Sequence, residues 1–407
     1  MEQDDRRAAA ERTMYESCQR FFGWSGLLLV GNGVGLATFL LTAFCGVLAG
    51  CKAVPEAPAP PIFYPAPPVR PRVQFLCGLS SAADVAPARN FFARLVFGEE
   101  REREADRIVR PYGMAMTPDV LYVCDSGGRR IVAFDFERRE FRTFGDTGEP
   151  RLGMPIHIAV GPNGEKFVSD ASGGQVLVLD ARDRVIRRMI ARDGMRPCDA
   201  VLLNRELYVV DARTNTIRVF DPDSGGLLRQ LGRPGSALGE FFKPTNLAVG
   251  PGGNLYVSDT LNARVQRLDG DGQALQAIGS LGTALGQMVR PKGIAVDREG
   301  RLYVADAATD SVQIYNPEGT LLMRIGGPGP DPGDMALPAG VSVSYEGLEH
   351  FAKYVSPDFK AAYLVFVSNH LGPHKVNVYA FGAYVGALPG EGAGSPRPPE
   401  RNGTESK

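Results

Sequence analysis

One motif recurs along the chain from residue 109 onward, and it limits the possible folds more than any other feature. Each copy begins with Pro, continues through a short apolar run such as GIAV at residues 293–296, and reaches a second run of the form Leu-Tyr-Val-x-Asp. In five good copies the second run ends, at intervals of 45, 41, 48 and 47 residues, in Asp125, Asp170, Asp211, Asp259 and Asp306. A degenerate sixth copy runs from Pro338 to Asn369. Such a period indicates one small supersecondary unit that is used many times.

Each copy contains four strand signals. The two runs just described are the first two, and the third is a segment with alternating side chains, such as residues 311–316. The fourth ends in an apolar residue followed by Gly, as at Phe144-Gly145. The 49 Gly and 31 Pro of the chain suit an all-β fold with many tight turns. Six copies therefore predict a β-propeller with six blades, each of four antiparallel strands.

Over residues 109–382 these motifs resemble the NHL repeat family. The resemblance implies a six-bladed propeller of NHL or TolB-like type. We expect the propeller to span residues 73–387, and the Gly, Pro and polar residues of 388–407 predict a disordered tail.

Closure of the ring requires the two ends of the chain to share a blade. The sixth copy has only three strand signals, the last at residues 375–381. Upstream, residues 91–98 end in Phe97-Gly98, as a fourth strand does. We therefore expect residues 73–98 to close the last blade, with 91–98 paired to 375–381 and residues 72–77 as a further strand beside them.

The N-terminal segment has the pattern of a secretion signal. A polar, Arg-containing stretch precedes an apolar run over residues 26–50, and the run ends in Leu48-Ala49-Gly50-Cys51. This ending resembles a bacterial lipobox, which implies a signal peptide over residues 1–50 and diacylation of Cys51, so that acyl chains anchor the protein to membrane lipid. The alternative is an uncleaved transmembrane helix, for which about 20 apolar residues suffice.

Two features beyond the lipobox concern where the protein is held. By resemblance to Gram-negative sorting rules, Lys52 in place of Asp implies an outer-membrane lipoprotein that faces the periplasm or the cell surface. Residues 51–72 are rich in Pro, which predicts an extended spacer of about 3.1 Å per residue. The spacer would hold the propeller away from the lipid surface.

The candidate site lies at the third residue of each inner-strand motif. This residue is Gly in three copies, but His157, Asp199 and Asn246 occupy it in three consecutive copies. Such positions line the mouth of a propeller channel, where Gly would leave the mouth open. In a catalytic or metal site, His157 would be the base or ligand, Asp199 would orient it, and Asn246 would donate a hydrogen bond. If the three only line the channel, each replacement should change stability by no more than about 0.5 kcal/mol.

Resemblance to known propeller enzymes argues against catalysis. Peptide-amidating lyases hold zinc with His residues from several blades, whereas three of the four His residues here, His350, His370 and His374, fall in the sixth copy. No Glu matches the metal set of gluconolactonase-like propellers. We therefore expect no metal and no other cofactor. The Asp residues that end the second runs are interpreted as turn-fixing acceptors of backbone N–H groups rather than as metal ligands.

Charge and cysteine content limit the possible partners. With 45 basic and 46 acidic residues the formal net charge is −1, so we expect no nucleic-acid binding. Cys124 lies within a core strand motif, where we expect a buried thiol. Together, the patterns predict a monomeric, membrane-anchored binding scaffold of the cell envelope that recognises a protein or an envelope polymer. The alternative is a hydrolase or lyase with its site at the channel mouth.

Overall fold

A computed structural model describes residues 60–86, 104–147 and 151–388. It is an all-β structure with six blades around an axis, which confirms the predicted fold. The signal segment, most of the spacer, residues 91–98 and the predicted tail beyond Leu388 lie outside the described residues. Among the residues described, no helix is long and apolar enough to span a membrane.

Two strands precede the first blade, β1 (Ile62–Tyr64) and β2 (Val73–Leu79). Blade 1 consists of β3 (Pro111–Met116), β4 (Val120–Asp125), β5 (Arg130–Asp135) and β6 (Glu140–Phe144). Blade 2 consists of β7 (Pro155–Val160), β8 (Lys166–Asp170), β9 (Gln175–Leu179) and β10 (Val185–Met189). Blade 3 consists of β11 (Pro197–Leu203), β12 (Glu206–Asp211), β13 (Thr216–Phe220) and β14 (Leu227–Leu231).

A short parallel pair, β15 (Arg233–Pro234) and β16 (Glu240–Phe241), leads into the second half of the ring. Blade 4 consists of β17 (Pro244–Val249), β18 (Leu255–Asp259), β19 (Arg264–Leu268) and β20 (Ala274–Ile278). Blade 5 consists of β21 (Pro291–Val296), β22 (Leu302–Asp306), β23 (Ser311–Tyr315) and β24 (Leu321–Ile325). Blade 6 contains β25 (Pro338–Ser344), β26 (Phe359–Asn369) and β27 (Val376–Tyr384). Helical segments are α1 (Leu348–Phe351) and 3₁₀ turns at Ala82–Asp84, Glu104–Asp106, Pro251–Gly253, Thr260–Asn262 and Ala352–Tyr354.

The position of a strand within its blade explains its sequence pattern. The two middle strands of blade 1, β4 and β5, are buried along their whole length, because neighbouring blades cover both faces. The outermost strands β20 and β24 alternate between exposed and less exposed residues. The third strand of blade 5, β23, has the predicted alternating sequence but is buried along its whole length. Full burial therefore marks the middle strands of a blade, whereas its outermost strand is largely exposed.

The Asp that ends each second strand is fully buried and bonded to the backbone. In blade 1, Asp125 accepts N–H groups from Arg110 at 2.8 Å and from Gly128 at 3.1 Å. In blade 2, Asp170 accepts the N–H group of Met154 at 2.7 Å. The carboxylate thus joins the turn after its own strand to the segment that enters the inner strand. The predicted structural role of these Asp residues is confirmed.

The last blade is closed by β2. This strand pairs antiparallel with β27, from Val73 opposite Phe381 to Leu79 opposite Val376, and β1 pairs with its outer edge. Because β26 occupies the other edge of β27, the predicted pairing of residues 91–98 with 375–381 is wrong. The described part of Pro-rich segment 51–72 also contributes β1 to this sheet. With β1 outside it, β2 is not an edge strand, which explains why its first residues are continuously buried.

Candidate functional site

The candidate residues meet at the axis of the ring. His157 on β7 places its Nδ1 atom 2.6 Å from Oδ1 of Asp199 on β11. Asn246 on β17 donates from Nδ2 to Oδ2 of Asp199 at 3.0 Å. The same oxygen accepts the backbone N–H group of Leu247 at 3.1 Å. Three consecutive blades therefore converge on one carboxylate, and we call His157, Asp199 and Asn246 the buried trio.

Burial shows how little of the trio faces solvent. Asp199 is 1% exposed and Asn246 is 3% exposed, while the side chain of His157 keeps 17%. The short His157–Asp199 contact does not have hydrogen-bond geometry, and Oδ1 of Asn246 has no hydrogen-bond partner in the described structure. Asp199 is thus a buried junction between blades rather than a group that presents its charge to a channel.

The three Gly residues at equivalent positions do not leave an open mouth. A Cβ atom added to Gly293 would lie 2.5 Å from Cα of Gly340, and one added to Gly340 would lie 2.4 Å from the carbonyl oxygen of Tyr112. At Gly113 it would lie 2.4 Å from Cδ2 of His157. The expectation of an open mouth is therefore wrong. Gly is used because neighbouring inner strands approach too closely for any side chain.

The described residues do not fit a protein-held metal ion. In the parts of the chain that the structure covers, no group of three His, Cys, Asp or Glu side chains is arranged to bind one. The ring of His370 lies 4.7 Å from that of Tyr112, and Nε2 of His350 lies 3.2 Å from Oδ1 of Asp119. The metal sets of the propeller enzymes considered above have no counterpart in these residues.

A cavity of about 240 Å³ lies beside the trio, at the end of the ring where the inner strands begin. Ile156, Cys198 and Thr245 directly precede the three trio residues in sequence and contribute to its wall. The remaining lining residues are Tyr112, Met154, Ala171, Arg196, Ala212 and Lys243. The cavity is therefore largely apolar, with two basic side chains at one side.

Further basic side chains surround this end of the axis. Lys292 on β21 donates from Nζ to the hydroxyl of Tyr112 at 2.6 Å, which links blade 5 to blade 1 across the small, fully buried Ala339 of blade 6. Burial, followed by the charges of Lys292, Arg110, Lys375 and Arg290, lowers the pKa of His370 to about 4. We call Arg196, Lys243 and Lys292 the basic rim.

Sequence reasoning did not find the basic rim, although the repeat contains a signal for two of its members, Arg196 and Lys243. The residue immediately before the inner-strand Pro is basic in four of the six copies, as Arg110, Arg196, Lys243 and Arg290. The overall charge of −1 conceals this regularity because the balancing acids lie elsewhere in each blade.

The cysteines of the described chain supply no thiolate nucleophile. Cys77, Cys124 and Cys198 are free thiols, and Cys124 is fully buried as predicted. Burial raises the pKa of Cys198, which lines the cavity, to about 11. Burial likewise raises the pKa of Cys77 to about 12 and that of Cys124 well above its usual value. All three thiols stay protonated near neutral pH.

Comparison with known proteins agrees with the fold. Residues 247–343, 97 of the 407 residues, match the family model described as SMP-30/Gluconolactonase/LRE-like region. A protein of unknown function from Bacteroides thetaiotaomicron is similar at 15% identity and a TM-score of 0.52, with 76% of this chain and 75% of that chain covered. The match supports a propeller of this general kind.

Two further solved structures are similar. An auxiliary nutrient binding protein from Bacteroides thetaiotaomicron has 13% identity and a TM-score of 0.51, with 68% of this chain and 70% of that chain covered. Virginiamycin B lyase from Staphylococcus aureus has 12% identity and a TM-score of 0.48, with 66% of this chain and 80% of that chain covered. At these identities the similarity concerns the fold alone.

Proposed function

We propose that this chain is a binding module of a bacterial cell envelope, anchored to membrane lipid through Cys51 and monomeric. Its binding face is the end of the propeller where the inner strands begin. The observation that carries this proposal is the contrast at the axis. The polar groups of the buried trio face one another, whereas the cavity beside them is open and lined by apolar and basic side chains.

The geometry favours binding over catalysis. A general base must reach the proton that it removes, and the carboxylate of Asp199 is occupied by His157, Asn246 and the backbone of Leu247. In the described chain no protein-held metal set accompanies it. The partner we propose is a protein or polymer of the envelope, brought to the propeller face by the anchor.

One observation supports a second candidate, a hydrolase or lyase. His157 retains 17% of its side-chain exposure and its Nδ1 atom lies 2.6 Å from a carboxylate oxygen, so an imidazole that could exchange a proton stands beside a carboxylate. The two candidates differ in what His157→Ala should do. For an enzyme, the variant loses a stoichiometric metal or a ligand-induced rise in melting temperature that the wild type has. For a binding module, the variant is less stable but keeps its ligand response.

The anchor is tested by replacing Cys51 with Ala in cells fed radiolabelled palmitate. We expect the label and the processing step to disappear, because no other residue can carry the N-terminal lipid. Cys77→Ala, which removes a thiol from the folded body, is the matched control and should remain labelled. Unchanged labelling of Cys51→Ala would refute the lipid anchor.

The envelope partner is tested by cross-linking in intact cells, followed by capture of the full-length protein from solubilised envelope. We expect one product that depends on the anchor and is absent from Cys51→Ala. A product of equal yield in both proteins would contradict the proposed role of the anchor.

A further inference from the structure

We propose that the cavity beside the trio binds a small organic anion, a carboxylate or phosphate monoester with an apolar group, between Arg196 and Lys243. This inference rests on the proposed binding function and names the chemistry of the group that the cavity would recognise. Four properties of the cavity support this ligand: its mixed basic and apolar lining, the absence of ion pairs to its cations in the described residues, the contacts that the nearby carboxylates make to other groups, and its size.

The lining combines basic, polar and apolar side chains. Arg196 and Lys243 directly precede the inner strands of blades 3 and 4, and Thr245 contributes a hydroxyl. Blades 1 and 2 supply Tyr112 and Ile156. A ligand with a charged head and an apolar body can therefore contact both kinds of side chain at once.

The two cations are available to a ligand. Both side chains are exposed, and in the described residues neither forms an ion pair with a carboxylate. Nζ of Lys243 donates only to the carbonyl oxygen of Ala212, at 3.1 Å. The backbone N–H group of Lys243 donates to Oδ1 of Asn215 at 2.9 Å, which holds the residue in position at a left-handed φ of 52°. A guanidinium and an ammonium group on the wall of one cavity are suited to a carboxylate or a phosphate.

Two buried carboxylates near the cavity are bonded to groups other than the side chains of these cations. Asp211 is fully buried and accepts from Nε of Arg218 at 2.8 Å and from the backbone N–H group of Arg196 at 2.9 Å. Asp199 is committed to the trio. Lys292 adds a third positive charge at this end of the axis, because its ammonium group donates to the hydroxyl of the lining residue Tyr112. Arg196, Lys243 and Lys292 together supply positive charge that attracts an anion.

The size of the cavity sets the size of the ligand. Sites for drug-sized molecules have volumes of about 300–1,000 Å³, and this cavity, at about 240 Å³, is smaller. It can enclose one ring or a short aliphatic chain. A nucleic acid strand or a folded protein could touch the rim but could not enter, which leaves a small molecule or one projecting side group as the occupant.

The test uses the full-length protein in a neutral detergent and isothermal titration calorimetry with four probes. Benzoate and phenyl phosphate carry an apolar ring and an anion, benzyl alcohol carries the ring alone, and inorganic phosphate carries the anion alone. We expect at least one ring-bearing anion to bind at least tenfold more tightly than either single-feature probe. Tighter binding of benzoate identifies a carboxylate site, and tighter binding of phenyl phosphate identifies a phosphate site.

The paired variant Arg196→Gln with Lys243→Gln should weaken binding of that anion at least tenfold. The matched control is Arg182→Gln with Arg205→Gln, which removes two exposed charges from turns at the opposite ends of the strands and should change affinity less than twofold. Circular dichroism and melting temperature confirm that both variants are folded.

Three results would overturn the inference: no binding of either ring-bearing anion at millimolar concentration, equal binding of benzyl alcohol, or equal weakening by both paired variants. Failure of the inference is separable from failure of the proposed function. Acyl labelling at Cys51 and the anchor-dependent cross-link do not require this cavity, so they would persist if only the ligand class were wrong.

Discussion

Two members of the basic rim, Arg196 and Lys243, lie only three residues before two members of the buried trio, Asp199 and Asn246, yet their environments are opposite. Asp199 is the third residue of its motif and is 1% exposed, whereas Arg196 immediately precedes the same motif and is exposed. At the third residue, neighbouring blades approach within contact distance. Arg196 lies in the segment before the first residue of the motif, and this segment is not yet part of the blade. Register along the inner strand therefore decides whether a polar side chain joins blades or faces a ligand.

The largest effect should come from removing the junction of the trio. Asp199→Ala leaves the amide of Asn246 and the backbone N–H group of Leu247 buried without an acceptor, and each such loss costs about 1–3 kcal/mol. We expect the free energy of unfolding, measured by urea denaturation, to fall by about 2–4 kcal/mol. Asp223→Ala, at an exposed residue of the same blade, should leave stability unchanged.

A fall of less than about 0.5 kcal/mol in Asp199→Ala would show that the trio only lines the axis, as one sequence-based alternative proposed. That outcome would remove the distinction between the buried trio and the basic rim, since substitutions in both would then change stability as little as substitutions at solvent-exposed positions do.

A smaller loss of stability should follow when a side chain is added at one of the Gly positions where neighbouring inner strands are in contact. In Gly293→Ala the new Cβ atom meets the backbone of Gly340 at 2.5 Å, so two inner strands must separate. Overpacking of this kind costs about 1–3 kcal/mol. Gly270→Ala is the control, because a Cβ atom there has no heavy atom within 4 Å. Equal melting temperatures for the two variants would contradict a closed axis.

The repeat register predicted which residues meet, but not how deeply they are buried. Equivalent positions in consecutive copies must be neighbours around the axis, and this rule alone predicts that His157, Asp199 and Asn246 lie together. Whether Gly opens or closes the ring depends on the spacing between inner strands. That spacing is set by packing of whole blades, and no local pattern in the sequence reports it.

The prediction of which strand closes the ring was wrong for a related reason. Both β2 and residues 91–98 have strand-like sequences upstream of the first blade, and the Phe97-Gly98 ending favoured the second. The choice depends on which strand reaches the free edge of β27, a long-range contact between residues about 300 positions apart. The basic rim was missed because charge was summed over the chain instead of compared at equivalent positions of the repeat.

Substitutions in the basic rim should scarcely affect stability. Arg196→Gln and Lys243→Gln each change an exposed side chain that forms no ion pair in the described structure, so we expect the free energy of unfolding to change by less than about 0.5 kcal/mol. Urea denaturation of both variants beside Asp199→Ala makes the comparison direct. A loss near that of Asp199→Ala would mean that the rim, like the trio, holds the blades together.

The smallest effect is a change in one pKa. Burial is the main reason why the pKa of His370 is lowered to about 4, and Lys292 is the first of the charges that add to it. Lys292→Gln removes a positive charge that opposes imidazole protonation, so the pKa should rise while staying below its usual value near 6.5. Titration by NMR of the His370 ring measures it, with Lys360→Gln, an exposed lysine, as the control.

The same shift predicts a pH dependence of stability. Because His370 is protonated near pH 6.5 in the unfolded chain but only near pH 4 in the native one, the unfolded state binds more protons between these values. This contribution to the free energy of unfolding therefore falls as the pH decreases from about 6.5 to about 4, and it should fall less in Lys292→Gln than in the wild type. Identical His370 titrations in wild type and variant would show that Lys292 does not act on this end of the axis, and the positive field assigned to the rim would then have to come from Arg196 and Lys243 alone.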